Sequence, residues 1–473
     1  MNYKNRLSGV LLPFLLLALP LSACSNRQEK AQAAYAQYQA ALVSGDLREA
    51  RLALTALVTA DDSNPQYWTE LGKICMQMSD YGAAYGAFQR AHELNRGDPE
   101  VLTIMTQLAL RSGSLELAAE NADKLELVAP TSPVVALTKG YVALQRGDLA
   151  EADGQVAALI AASPYEGSGK VLQARILMAR NQPDQAISLL RAQISQQPSD
   201  ADSLRALASI FELREEWNEA AATIRTYMSY VPADQRARIR LIEAYIRSGQ
   251  VEQAADLTLS AVEKEDVDTL LEPWLQLGKQ AAIADRLYEW AKTADVGRRI
   301  AAARFLSKAS QPARVLELTA REATLPVRPT NVVPNALYAT ALAQSGRAQE
   351  GLSRLNQVLQ LDGTSREALR GRAMLRSAAG DHKQAVEDAQ KLVAADGQAA
   401  SSRLLLARIY GAAGDPEGAR RTLWEAFHEL GEDHAIFDAL LPLVAKSDGP
   451  QAAERLSQEF YDKRNQQLTR SFA

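Results

Sequence analysis

The sequence predicts an all-α protein, an α-solenoid of about thirteen stacked helical hairpins. Three observations predict it. A small residue recurs every 34 positions, at Ala50, Ala84, Ala118, Ala152, Ala186, Ala220 and Ala254, then again at Gly351, Ala385, Ala419 and Ala453. A fixed period of this size marks a stacked-repeat architecture. Five places earlier stands a turn-tolerant residue, at Gly45, Gly113, Gly147, Asn181, Gly249, Gly346, Gly380 and Gly414. Finally, the chain is rich in Ala and Leu, only 6% aromatic and 23% charged with both signs, a composition suited to helices. Its 473 residues exceed what one compact core holds, but in a solenoid each unit packs only on its neighbours.

The first element is a secretion signal, residues 1–23. Lys4 and Arg6 form a charged n-region, and Val10 to Leu19 form an apolar stretch broken only by Pro13. Leu21-Ser22-Ala23-Cys24 resembles the bacterial lipobox, in which cleavage precedes the cysteine and the cysteine is lipidated, with palmitate among the acyl chains. Acyl chains anchor durably, at about 0.8 kcal/mol per buried methylene. That resemblance implies Cys24 as the lipidation site. With Ser25 rather than Asp next, it also implies the outer membrane, facing the periplasm, over the inner membrane. Residues 24–30 read as a tether, at most about 25 Å if extended. No later segment is apolar for long enough to span a bilayer.

The repeats begin at Ala31, Pro65, Pro99, Pro133, Gly167, Ala201 and Gln235, an array covering 31–268. In the unit from Pro65, the residues Trp68, Leu71, Gly72 and Cys75 fall on one helical stripe, and Tyr81, Ala84, Phe88 and Ala91 on a second. Ser79-Asp80 breaks the helix between them, giving an antiparallel hairpin. The small residue of the second helix lets the two backbones approach. This pattern resembles the tetratricopeptide repeat (TPR), with Cys75 in place of the tyrosine of the first block. The resemblance implies a right-handed superhelix whose first helices line a concave wall.

Between 269 and 331 the register is lost, yet apolar stripes at Leu270–Ala281, Ala284–Ala291, Val296–Leu306 and Ala313–Ala320 read as two tighter, degenerate hairpins. The proline-rich joint Thr324–Thr330 follows. The segment is either a drifted repeat pair or a hinge. Four further repeats begin at Val332, Arg366, Ala400 and His434, and 332–473 ends on the polar run Asp462–Arg470, read as a cap.

No catalytic or metal constellation emerges, and no cofactor is expected. His428-Glu429 begins like a helical zinc motif, but Glu432 replaces the second histidine. Gly167-Ser-Gly-Lys170 lacks the first glycine of a phosphate loop, Pro164 standing there, and lacks the following Ser or Thr. Cys75, the one other cysteine, sits on a core stripe. The formal charge is −5, or −7 without residues 1–23, which argues against nucleic acid as partner. What remains is the wall of first helices. The resemblance places Lys73, Arg111, Tyr141, Arg175, Arg205, Arg236, Arg370 and Arg408 on it as a concave binding face. The residues that clamp chaperone tails in such repeats are absent, with Tyr35, Gln39, Thr69 and Lys73 at those places.

The expectation is a non-enzymatic, lipid-anchored periplasmic scaffold. Its partners are envelope proteins or extended peptides held during assembly of a pilus, secretion or outer-membrane machine. The alternative is an accessory of exopolysaccharide biosynthesis and export, with polysaccharide as the partner.

Overall fold

The computed structural model describes residues 21–162, 167–397, 399–430 and 433–471. The n-region and apolar stretch of the signal, together with Pro164 and Glu432, lie outside them. Among the described residues there are 26 α-helices, one short 3-10 turn and no strand. The chain divides between Asn181 and Gln182 into two compact units.

The first unit holds α1 (Leu21–Ser44), α2 (Leu47–Ala60), α3 (Pro65–Gln77), α4 (Tyr81–Leu94), α5 (Pro99–Arg111), α6 (Leu115–Val128), α7 (Pro133–Arg146), α8 (Leu149–Ala162) and α9 (Gly167–Ala179). Consecutive helices pair as hairpins, and α2 to α8 each pack on the next helix in line. The helix starts follow from local chemistry. Asp46, Asn64, Asp80 and Asp98 accept hydrogen bonds from first-turn backbone N–H groups, and Pro65, Pro99 and Pro133 occupy the first turn, where no N–H is needed. The periodic alanines Ala50, Ala84, Ala118 and Ala152 are all fully buried. Gly72 shows why the joint must be small: a Cβ there would lie 2.8 Å from the Phe88 ring.

Residues 24–30 have helical backbone, because α1 runs from Leu21 through Cys24 to Ser44. Seven helical residues advance only about 10 Å.

The second unit holds α10 (Pro183–Gln196), α11 (Ala201–Leu213), α12 (Trp217–Tyr230), α13 (Gln235–Arg247), α14 (Val251–Ala261), α15 (Val267–Gln276), α16 (Gln280–Ala291), α17 (Val296–Lys308), α18 (Pro312–Thr319), α19 (Val332–Gln344), α20 (Ala348–Leu361), α21 (Arg366–Ala378), α22 (His382–Ala395), α23 (Ala400–Ala412), α24 (Pro416–Glu429), α25 (His434–Ser447) and α26 (Pro450–Ser471). Within it, 267–319 forms the two degenerate hairpins. They drift because α15 has 10 residues and α18 has 8, where the regular repeat uses 13 and 14. Their turns keep the repeat's geometry, with Gly278 and Ser310 at positive φ like Gly249 and Gly346. The first helices α13, α15, α17, α19, α21, α23 and α25 pack in an unbroken row.

The proline-rich joint is tied to this row. Asn331 accepts from the Arg328 N–H at 2.7 Å and donates to the Thr324 carbonyl at 3.0 Å. Buried Asn335 donates to the carbonyls of Thr324 and Asn331. The chain thus enters α19 pressed close against its neighbours. A Cβ at Gly351 would strike the Ala339 carbonyl and Ala343, and one at Gly371 would strike Thr340.

Candidate functional site

The first-helix side chains differ between the units. In the first, Lys73 on α3 bridges Glu70 at 3.3 Å and Glu100 on α5 at 3.1 Å. The hydrogen bond to Glu100 outweighs burial and pushes its amine up. Arg111 lies 4.7 Å over the Tyr81 ring, and its Nη2 donates to the Tyr81 hydroxyl at 3.2 Å, so it is turned to the start of α4. Tyr141 and Arg175, one period apart, stack with the guanidinium 4.6 Å over the ring. Arg175 is buried, which takes it off the solvent-facing wall. Its guanidinium lies against the half-buried Tyr141 ring.

In the second unit, Arg205 is exposed and pairs with Asp202 of its own helix. Arg236 is exposed at the start of α13, with no ion pair among the described residues. Arg370 and Arg408 belong to a larger constellation that the 34-residue count includes only in part. On α15, Asp268 and Glu272 share a face; on α17, Arg304 and Lys308 do the same, each pair one helical turn apart. Arg304 bonds both Asp268 and, through Nε at 2.8 Å, Glu367 on α21. Helices two steps apart in a flat stack would be about 16–20 Å apart. Arg304 and Glu367 therefore meet across α19 only because the row bends inward on this face. The close α19–α21 packing at Gly371 is what permits it.

Beside this clasp lie three cations. Arg370 Nη2 donates to Ser401 Oγ at 3.1 Å and Ser402 Oγ at 3.3 Å, both neutral. Lys308 and Arg408 are exposed and make no ion pair among the described residues. The surrounding protein pushes the Lys308 amine below the usual lysine range, and Arg370 and Arg304 add to this against Glu272 and Asp268. Burial likewise lowers Arg370, with Arg408 contributing. Burial also raises the Asp268 carboxyl, outweighing Arg304. A second inner clasp joins α11 and α13, where Arg240 grips Glu212 with two bonds, at 2.9 and 2.7 Å.

Arg304, Lys308 and Arg240 were missed from the sequence. The first two become visible if the repeat count is restarted at Val296, since they then fall at offsets nine and thirteen, the wall positions of the regular repeat. Among the described residues no three His, Cys, Asp or Glu side chains are grouped to hold a metal. No described helix is long and apolar enough to cross a membrane.

Fold and face together define a helical-repeat solenoid. The tetratricopeptide-repeat family model matches residues 30–99 and 171–228, and so supports the TPR reading of the hairpins. No curated protein matches the chain. Among solved structures it is similar to a thermophilic TPR protein of Thermus thermophilus, at 23% identity over 38% of this chain and 99% of that one, with a TM-score of 0.35. A tetratricopeptide repeat protein from Parabacteroides merdae is 16% identical over 52% of this chain and 97% of its own, at a TM-score of 0.41. Yeast Tom70 is 13% identical over 85% and 94%, at 0.33.

Proposed function

We propose that this chain is a lipid-anchored periplasmic scaffold without chemistry of its own, which holds protein partners along its first-helix face during assembly of an envelope machine. The observation that carries the reading is the row of first helices in the second unit. It joins charged side chains of three helices, α15, α17 and α21, to one another and to the Ser401 hydroxyl of α23. Repeat scaffolds recognise extended partners over such faces rather than in a pocket. The anchor rests on Leu21-Ser22-Ala23-Cys24, and outer-membrane placement on Ser25. The helical course of α1 supports a short link from an acylated cysteine to the first hairpin.

The test is photo-crosslinking in intact cells from first-helix positions Lys73, Arg236 and Arg408, with exposed Glu93 on the second helix α4 as control. Protein adducts specific to the first-helix positions are expected, together with release of the Cys24→Ser form from membranes. Equal labelling from Glu93 would refute the face. Membrane retention of Cys24→Ser would refute the anchor. Polysaccharide adducts in place of protein would replace the reading with the export accessory.

A further inference from the structure

The repeat that begins at Arg366 carries charge where others carry leucine. Its seventh residue is Arg372, whereas the same place holds buried Leu71, Leu207, Leu241, Leu406 and Leu440 in other repeats. Three bonds hold the Arg372 guanidinium. Nε and Nη2 donate to the two carboxylate oxygens of Asp388 on α22, at 2.8 and 2.7 Å, and Nη1 donates to Asn356 Oδ1 on α20 at 2.9 Å. Arg376 donates to Asp388 as well, at 2.6 Å. Two arginines thus share one carboxylate, and the group keeps a net charge of +1 behind an Asp388 that is 1% exposed. Buried ion pairs in place of apolar packing seldom stabilise a fold, so the exchange needs another reason.

Arg372 also lines a cavity of about 280 Å³ between the second helices α20 and α22. Asn356, Leu359 and Gln360 on α20, Leu369 on α21 and Lys391 on α22 line it too, and none of its lining side chains is acidic. Lys391 is exposed and makes no ion pair among the described residues. Two cations facing one cavity without a carboxylate suit a single anionic group. Asn356 and Gln360 stand one helical turn apart, and with its oxygen held by Arg372 the Asn356 amide has its NH2 left to donate. Such amides suit hydroxyl groups, and Leu359 and Leu369 give the ring of a ligand an apolar surface. The volume is at the lower end for small-molecule sites, which run from about 300 to 1,000 Å³. We propose that this cavity binds a small hydroxylated organic anion, of the size of a sugar acid or a sugar phosphate. Asp388 and Asn356 fix Arg372 beforehand, so little side-chain freedom is lost on binding. The site lies between second helices and stands whether or not the first-helix row holds protein partners.

Titration calorimetry on the purified full chain tests this with D-glucuronate and D-glucose 6-phosphate as probes and D-glucose as the neutral control. At least one anion should bind saturably, and glucose at least about tenfold more weakly. Lys391→Gln should weaken the anion about tenfold, and Gln360→Ala should weaken it too. Lys383→Gln, exposed on α22 outside the cavity, should leave it unchanged. All three side chains are exposed, and urea midpoints equal to wild type confirm that each variant is folded. The tighter of the two probes identifies the acid group, and a soluble polyuronate that binds as well as glucuronate would make a chain end the source. The proposal is overturned if neither anion binds saturably up to about 10 mM. Equal binding of glucose, or equal effects of Lys391→Gln and Lys383→Gln, would overturn it as well.

Discussion

The closeness of α19 to α21 can be tested at a single hydrogen atom. Gly371→Ala would put a Cβ inside the contact shell of Thr340 Oγ1, 3.3 Å from Thr340 Cβ and 3.5 Å from Leu355 Cδ1. Thr340 cannot easily yield, because its hydroxyl donates to the Ala336 carbonyl at 2.9 Å and its side chain is buried. Rotating it away loses a hydrogen bond worth about 1 kcal/mol. Overpacking adds about 1–3 kcal/mol, and the better helix propensity of Ala returns about 1 kcal/mol. The net loss should be about 1–3 kcal/mol. In a Thr340→Ala background the clash vanishes, so Gly371→Ala should be neutral or stabilising there. The coupling between the two sites is then about 1–4 kcal/mol. Urea unfolding gives the totals, and hydrogen exchange of α19 and α21 amides localises them, since long repeat arrays need not unfold as one unit. Gly86→Ala on exposed α4, with nothing within 4 Å, should stabilise by about 0.5–1 kcal/mol as a control. Additive effects of Gly371→Ala and Thr340→Ala would refute the account of the bend.

Asp388 is 1% exposed between Arg372 and Arg376, at 2.7 and 2.6 Å, so Asp388→Ala should cost about 3–5 kcal/mol by denaturation. Exposed Glu93→Ala, which breaks the Arg90 pair, should cost under about 0.5 kcal/mol. Ser79 holds a φ of 61° in a turn where most repeats use Gly, so Ser79→Gly should gain about 0.5–1 kcal/mol in the same assay. Burial pushes the Asp234 carboxyl up, but the Ala237 N–H at 3.0 Å and the Tyr227 hydroxyl at 2.7 Å outweigh it and hold it below its ordinary value. A depressed carboxyl contributes stability above its unfolded pKa of about 3.9 and loses it as pH falls through the folded value. The stability gap between wild type and Asp234→Asn should therefore close on acidification below about pH 4; a widening gap would contradict the assignment.

Much of the fold was legible because its signals are local. Pro65, Pro99, Pro133, Gly167, Ala201, Gln235, Val332, Arg366, Ala400 and His434 each begin a helix where the 34-residue count puts one. The count works because a cap, a turn and a small joint residue are each set within a few residues of sequence. It failed where the constraint is not local. Ser79 and Glu215 adopt the positive φ of the turn although neither residue type favours it. The helical course of residues 24–30 was hidden because polar Ser25–Lys30 carries no apolar stripe. Arg175 is buried with its guanidinium against Tyr141, one whole period away, and the count shows neither. A wall offset gives the direction of a side chain but not what lies over it.

The candidate site illustrates the same limit in reverse. Lys308 and Arg304 sit in the segment where periodicity is weakest, and that coincidence has a physical cause. A regular repeat fixes a constant step between neighbours, and a constant step keeps alternate first helices about 16–20 Å apart. To bring α17 and α21 within reach of one arginine, the spacing must be broken. Short α15 and α18, the pinned proline joint and Gly351 and Gly371 around α19 break it. The loss of register is therefore how the row acquires the bend that lets Arg304 of α17 reach Glu367 of α21. Where 267–319 loses sequence regularity, its first helices still keep the row continuous from α13 to α21.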